Sequence, residues 1–375
     1  MLTSFWFLLA GLASVLADPA ADAPVIPISK YAGKVKAGSY IIKLKPGASK
    51  QNHLAILSKT PNSHITHTYD QGFEGYAAQL SPTFLAYVQR SSDVEAIFED
   101  GIVQIETEAA KNEQVAERSV ENSQLEKRTN GSSVDIYEIG TGIYTQHSQF
   151  GGRAIWGATF GGHIIKYPSA DGNGASTAYA SRAGGSTYGI ATQVKLIAVK
   201  VLSDAGSGST ADIISGFNWA IQAAKNSGRP SIMMCNIGGS PNSAVDAVVT
   251  NAVNAGNHVV VAAGNSNADA SGFSPARVAV AITVGSVDAN GNRASYSNYG
   301  SVVDVYSYGT SVTVAWIGSP TATKVISGSG LAVAYVAGIL ANAIDSHGNK
   351  SPAALQADLK SHALSKNGLL IAQPW

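Results

Sequence analysis

The stretch Lys195–Ser240, "KLIAVKVLSDAGSGSTADIISGFNWAIQAAKNSGRPSIMMCNIGGS", decides the fold. Its two ends, "KLIAVKVL" and "SIMMCNIG", are short apolar runs rich in β-formers. Between them "STADIISGFNWAIQAAKNSG" carries apolar residues at helical spacing and stops at a glycine, which readily follows a last helical turn. Strand, helix, strand is the repeating unit of a parallel sheet. The unit recurs on both sides: "VDIYEIGTG" lies upstream, and "NSAVDAVVTNAVNAG", "HVVVAAGN" and "AITVGSV" follow downstream. Residues 134–375 are therefore expected to form an α/β domain with a doubly wound, mostly parallel sheet. Such sheets place their sites at the carboxyl ends of the strands. That selects Gly140, the Gly238–Gly239 bend, Asn265 and the turn before Gly330.

Residues 39–105 read differently. "SYIIKLKP" alternates as a strand, and a helix-like stretch follows from Lys50 to Lys59. "HTYDQGFEGYAAQL" reads as a hairpin, and "SPTFLAYVQRSS" as a helix capped by Ser81 with Pro82 at its first position. "VEAIFEDGIVQIE" adds more strand. The expectation is a small α+β, ferredoxin-like domain. Residues 106–133 are polar, charged and poor in aromatics, as an exposed linker is. They contain the adjacent pair Lys127–Arg128, a candidate processing site, and the sequon "NGS" at Asn130, a candidate glycosylation site. Residues 1–17 carry an apolar run ending in small residues and read as a secretory signal peptide, with 18–38 as an N-terminal segment. The expected destination is extracellular.

Composition narrows the function. The 375 residues carry 25 basic and 25 acidic side chains, so no basic face is expected and nucleic acid is excluded as a partner. No segment after the signal peptide runs to about 18 uninterrupted apolar residues, so no membrane partner is expected once it is removed. The single cysteine, Cys235, allows no intrachain disulfide and reads as a buried, inert thiol.

"YGIATQVKLIAVKVLSDAGSGS", "VVVAAGNSNADA", "FSPA", "TVGSVD", "SYSNYGS" and "YGTSV" occur in this order after Tyr137. In them the chain resembles the subtilisin-like serine proteases, the fungal proteinase K branch in particular. Residues 39–105 resemble that family's inhibitory propeptide, down to "FEGYAAQLS". The family works with an Asp, a His and a Ser in that chain order. The Asp is expected in I-D-T-G, where this chain has "IGTG" with Gly140. The His is expected after D-G-N-G, where "DGNGASTAYAS" has Ala175, with Ala178 in place of a second His. The Ser is expected in S-G-T-S-M-A-T-P-H-V-A-G, where "SGSGLAVAYVAG" has Gly330. The resemblance thus implies a pseudoprotease in which all three catalytic positions are substituted. Ser329, one residue away, points elsewhere because a one-residue shift at a turn re-aims the side chain.

The remaining candidates follow from the same alignment of motifs. Asn265 matches the family's oxyanion donor, and Asp304 matches a position that helps hold a structural calcium. Ser207, Gly208, Gly238 and Gly239 match the edges of the peptide cleft. Glu138 lies two residues before Gly140, hence on the same face of the strand, and is the candidate substitute acid. Asp171 is expected to cap the helix after it, and His147 to be structural. His163 and His258 form no metal spacing. The three small replacements predict an emptied cleft with Tyr179 and Tyr335 on its rim. The reading is a secreted subtilisin-like protein without proteolysis that binds a peptide, protein or small molecule. It has no certain cofactor, calcium being the one the resemblance allows, and its own propeptide domain is a partner. Two alternatives stand beside it: an enzyme of different chemistry in the emptied cleft, and a protease inhibitor acting through residues 39–105.

Overall fold

The computed structural model describes residues 24–105, 131–161 and 170–375. The expected signal peptide, the Lys127–Arg128 pair, the Asn130 sequon and His163 lie outside them. The described residues divide into two compact units: 24–30, 35–68 and 74–100 form the smaller, and 31–34, 69–73 and those from Gly101 to Trp375 the larger.

In the smaller unit the strands are β1 (Ile28–Ser29), β2 (Val35–Leu44), β3 (His64–Tyr69), β4 (Gly75–Gln79) and β5 (Val94–Ile105), in the order β1-β5-β2-β4-β3. β2 lies wholly in the smaller unit, while Tyr69 at the end of β3 and the last five residues of β5, 101–105, fall in the larger. Helices α1 (Lys50–Leu57) and α2 (Pro82–Arg90) start at Ser49 and Ser81, whose hydroxyls accept the N–H of Asn52 and Phe84. Each cap satisfies one donor that the first helical turn leaves open. Leu57, Phe84 and Val88 meet Ile42, Leu44, Tyr76 and Val94 in one core cluster.

A histidine is built into this core. His53 is 1% exposed. Its Nδ1 lies 3.1 Å from the Tyr76 hydroxyl and its Nε2 3.2 Å from the Ser91 hydroxyl. Burial pushes its pKa below the ordinary value, against the nearby Asp93 carboxylate. The fold therefore holds the neutral ring, while the unfolded chain takes up a proton near pH 6.5. The contribution is fully present above that pH and is lost as pH falls below it. Thermal melts from about pH 7.5 to about pH 5.5 should show an acid loss of stability that shrinks in His53→Gln. An identical acid slope in the variant would contradict this assignment.

The larger unit is built on a nine-stranded sheet: β6 (Asp135–Gly140), β7 (Ala154–Thr159), β8 (Lys195–Lys200), β10 (Ser231–Cys235), β12 (His258–Ala262), β13 (Ile282–Val287), β14 (Val305–Tyr308), β17 (Leu364–Lys366) and β18 (Leu369–Ile371). The order is β17-β18-β14-β13-β12-β10-β6-β8-β7, and every pairing is parallel except β17 with β18. The chain winds to one side of β6 through β7 and β8, then to the other from β10 onward. The crevice at such a reversal, at the carboxyl ends of the strands, is where α/β sheets hold their sites. The short strands β9 (Ser207–Ser209) and β11 (Ile237–Gly238) leave the sheet at this end, and β15 (Val312–Ala315) pairs with β16 (Thr323–Ile326) as a separate hairpin.

Helices α3 (Ala175–Gly184), α4 (Thr210–Ser227), α5 (Ser243–Asn254), α6 (Ser329–His347) and α7 (Pro352–Ser361) complete the unit. α4 opens with a reciprocal cap between Ser209 and Asp212 and ends at Gly228 with φ 64°, the left-handed stop that its sequence implies. α6 is apolar enough to cross a membrane by length and composition, but 89% of its apolar window is buried, and it packs on β12, β13, β14 and α3.

Candidate functional site

Three elements converge at the crevice. β6 ends at Gly140, α3 begins at Ala175, and α6 begins at Ser329 with Gly330 in its first turn. α3 follows Gly174, whose φ of 99° suits glycine, and the cap comes from three residues upstream. Asp171 Oδ1 accepts the N–H of Asn173 and Gly174 at 3.0 and 2.8 Å; its Oδ2 accepts from the N–H and the hydroxyl of Thr177 at 3.0 and 2.7 Å.

The three small residues do not leave an emptied cleft, which corrects the expectation from sequence. A Cβ placed on Gly330 would stand 2.6 Å from Tyr179 Cζ and 2.9 Å from its hydroxyl oxygen. Tyr179 is 3% exposed, one helical turn beyond Ala175, and its ring fills the space beside α6. It is a plug in the interior rather than part of a rim, and Tyr335, 4% exposed, is likewise interior. A Cβ on Gly140 would come within 2.2 Å of Ser176 Oγ and 3.1 Å of Glu138 Oε1. Ser176 is fixed there: its Oγ accepts the Thr141 N–H at 2.8 Å, and its own N–H donates to Thr141 Oγ1 at 3.2 Å. Trp316 covers Gly174 in the same way, with Cε2 2.7 Å from where a Cβ would be. Interiors pack to the density of organic crystals, so larger neighbours take up the room that small residues leave.

Glu138 is fully buried. Burial pushes its pKa up to about 8, Ser176 and Asn236 oppose this in part, and the charge of Asp171 adds to it. The carboxyl is thus mostly protonated at neutral pH. It reaches no surface from which a substrate could approach, so the arrangement does not suit it as a substitute acid. Next to it Cys235 is 0% exposed, and burial pushes its thiol up to about 12.

Asn265 Oδ1 accepts the N–H of Ser329 at 2.9 Å, so its amide ties β12's end to the start of α6. The Ser329 hydroxyl is buried and faces the interior. Asp304 accepts the Thr283 N–H at 2.8 Å and pairs with Lys360 Nζ at 2.5 Å. A lysine ammonium therefore balances the carboxylate named for calcium. Among the described residues no cluster of three or more His, Cys, Asp or Glu could hold a metal. His147 contacts the Ala322 carbonyl through Nε2 at 2.9 Å, and His258 contacts Asn349 Oδ1 at 2.8 Å.

The edges of the crevice carry a strand. Residues 101–105, the end of β5, belong to the larger unit. Ile102, Val103 and Gln104 pair antiparallel with Ser209, Gly208 and Ser207; Gln104 and Ile105 pair antiparallel with Gly238 and Ile237. The Ile105 N–H donates to the Gly206 carbonyl at 2.7 Å. The Val103 side chain enters an apolar pocket with Ile213, Ile237 and Val245, where about 10 Å³ remains open. That is at the lower limit for even one water. A side chain at 208 would meet the Val201 carbonyl at 2.4 Å, so glycine is what lets the strand edge lie flat there. Gly239 pairs instead with Ser274.

The profile described as "Subtilase family" matches residues 165–374, and "Peptidase inhibitor I9" matches residues 39–106. The chain belongs to the subtilase family. Among this subtilase's relatives, "Subtilisin-like protease 2" of Pseudogymnoascus destructans is 40% identical over 316 residues, covering 82% of this chain and 78% of the relative. "Proteinase R" of Parengyodontium album is 35% identical over 323 residues, covering 84% and 81%. Among solved structures, a cold adapted subtilisin-like serine proteinase superposes with a TM-score of 0.62 at 37% identity, covering 66% of this subtilase and 91% of that chain. The α/β fold with an inhibitor segment ahead of it is the family's arrangement. Sequence reasoning did not foresee Val103 and Ile105 as occupants of the crevice, although their alternation in "GIVQIE" was the available signal.

Proposed function

We propose that this subtilase is a secreted, non-proteolytic protein whose crevice binds extended peptide by strand addition. The observation that carries the reading is residues 101–105 seated between Ser207–Ser209 and Ile237–Gly238, beside a site whose three catalytic positions hold Gly140, Ala175 and Gly330. Strand addition uses main-chain hydrogen bonds with a side-chain pocket for selectivity, and neither needs a nucleophile. The chain's own segment is the resident occupant; an external peptide of similar alternation competes with it. Removal of the inhibitor segment falls to another protease, for which Lys127–Arg128 is the proposed cut and Thr129 the proposed new N-terminus, next to a glycan at Asn130. N-terminal sequencing of secreted material reads this directly.

The binding test replaces Val103 with Asp. Burying an apolar side chain of this size stabilises by about 1.5–3 kcal/mol, so the resident strand should loosen by roughly 10- to 100-fold. A labelled peptide of sequence GIVQI should then show saturable anisotropy with Val103→Asp and little or none with the parent. Absence of binding to a folded Val103→Asp protein would refute the reading. The inhibitor match over residues 39–106 favours one second reading, inhibition of active relatives in trans. Titrating the full chain into an active subtilisin-like protease tests it.

A further inference from the structure

We propose that the larger unit carries a binding site for an acidic sugar ring, away from the crevice. The site is an open cavity of about 440 Å³ lined by Asn292, Arg293, Tyr299, Tyr306, Asn367 and Leu369. Ligand sites span about 300–1,000 Å³. The lining comes from the turn after β13, the loop before β14, β14 itself and the β17–β18 turn.

Each part has a fixed geometry. Arg293 Nη1 donates to Asn267 Oδ1 at 2.9 Å and to the Ser297 carbonyl, and its Cζ stands 4.9 Å over the Tyr299 ring. One arm of the guanidinium is thereby anchored, and among the described residues no carboxylate pairs with it. Arg293 is therefore the cation in the cavity wall. Asp288 is engaged within its own turn: its oxygens accept from the N–H groups of Asn290 and Asn292 and from the Asn292 amide. The Asn367 amide donates in turn to Asn292 Oδ1 at 2.9 Å. This chain of amides leaves the Asn367 side-chain carbonyl as an acceptor on the cavity wall.

The aromatic surface is prepared as well. Tyr306 lies flat on β13 because residue 285 is glycine; a Cβ there would come 2.4 Å from its Cε1. Tyr299 remains 41% exposed. An apolar ring face on tyrosine, hydroxyls on amides and a carboxylate on a planar guanidinium fork are the complement of a uronic-acid residue. The openness of the cavity lets such a residue be internal to a polysaccharide.

Isothermal titration with trigalacturonate tests the proposal on the full chain. Saturable binding is expected, weakening as salt rises and falling at least tenfold in Tyr299→Ala and in Arg293→Gln. Arg293 also braces its loop, so Tyr299→Ala, which removes the exposed ring and leaves the guanidinium held by Asn267 and the Ser297 carbonyl, is the decisive variant, with near-ultraviolet circular dichroism as the folding check. Absence of binding to the parent overturns the proposal, as does equal affinity for neutral cellotriose, binding of benzoate in place of the sugar, or full affinity in folded Tyr299→Ala.

Discussion

Incubated with peptide substrates, the purified chain should release product no faster than buffer, and serine-directed phosphonates should leave it unlabelled. The family's reaction needs an oxygen nucleophile, a base to take its proton and an acid to hold that base. Gly140, Ala175 and Gly330 offer no oxygen or nitrogen in their side chains. In subtilisin, removing the three groups lowers kcat by about 2 × 10⁶. The Ser329 hydroxyl is no replacement, because it is buried and Tyr179 covers the neighbouring position. Stoichiometric phosphonate labelling of Ser329 would overturn this expectation, and mass spectrometry of the intact chain reads it.

Restoring the serine should damage the protein rather than revive it. With a Cβ 2.6 Å from Tyr179 Cζ, Gly330→Ser forces either the ring or the start of α6 to move. Overpacking of this kind costs about 1–3 kcal/mol. The cost should vanish in a Tyr179→Ala background, where the ring is gone, so a double-mutant cycle in urea should give a coupling above about 1 kcal/mol. Additive effects would mean that the ring does not oppose the new side chain. The full restoration, Gly140→Asp with Ala175→His and Gly330→Ser, meets a second obstacle. An aspartate at 140 would collide with Ser176 Oγ and sit against the carboxyl of Glu138. Catalytic groups need placement to about 0.5 Å by their supporting residues, and here that support has been rebuilt around other side chains. Near-normal proteolysis by the triple variant would refute the argument.

The central strands were legible in the sequence because a parallel strand buried on both faces is a continuous apolar run. β8, β10 and β12 stand out for that reason, β6 and β13 through their β-branched and aromatic residues despite Glu138 and Ser286 within them, and α4 for its paired start and stop signals. β7, β14, β17 and β18 were not. They are short, and "AIWGAT" or "VYSY" mixes glycine, serine and aromatics without a clear period. The site divides similarly. What residues 140, 175 and 330 lack can be read from motifs. What stands in their place cannot, because Tyr179 meets Gly330 only after α3 and α6 are laid side by side. Sequence spacing does put Tyr179 on the face of α3 that carries Ala175, and that was the one local hint. The strand at residues 101–105 was visible as a strand, but its partners are more than a hundred residues away.

The buried thiol of Cys235 gives the molecule a clock. It is the chain's only cysteine, it sits in the middle of the central sheet, and burial there pushes its thiol up to about 12, so the closed fold holds almost no reactive thiolate. An alkylating reagent therefore gains access only when β10 parts from β6 and β12. At reagent concentrations where alkylation outruns reclosing, the rate at which the native protein takes up a single alkyl group counts how often its centre opens, with no engineered label and no second cysteine to subtract.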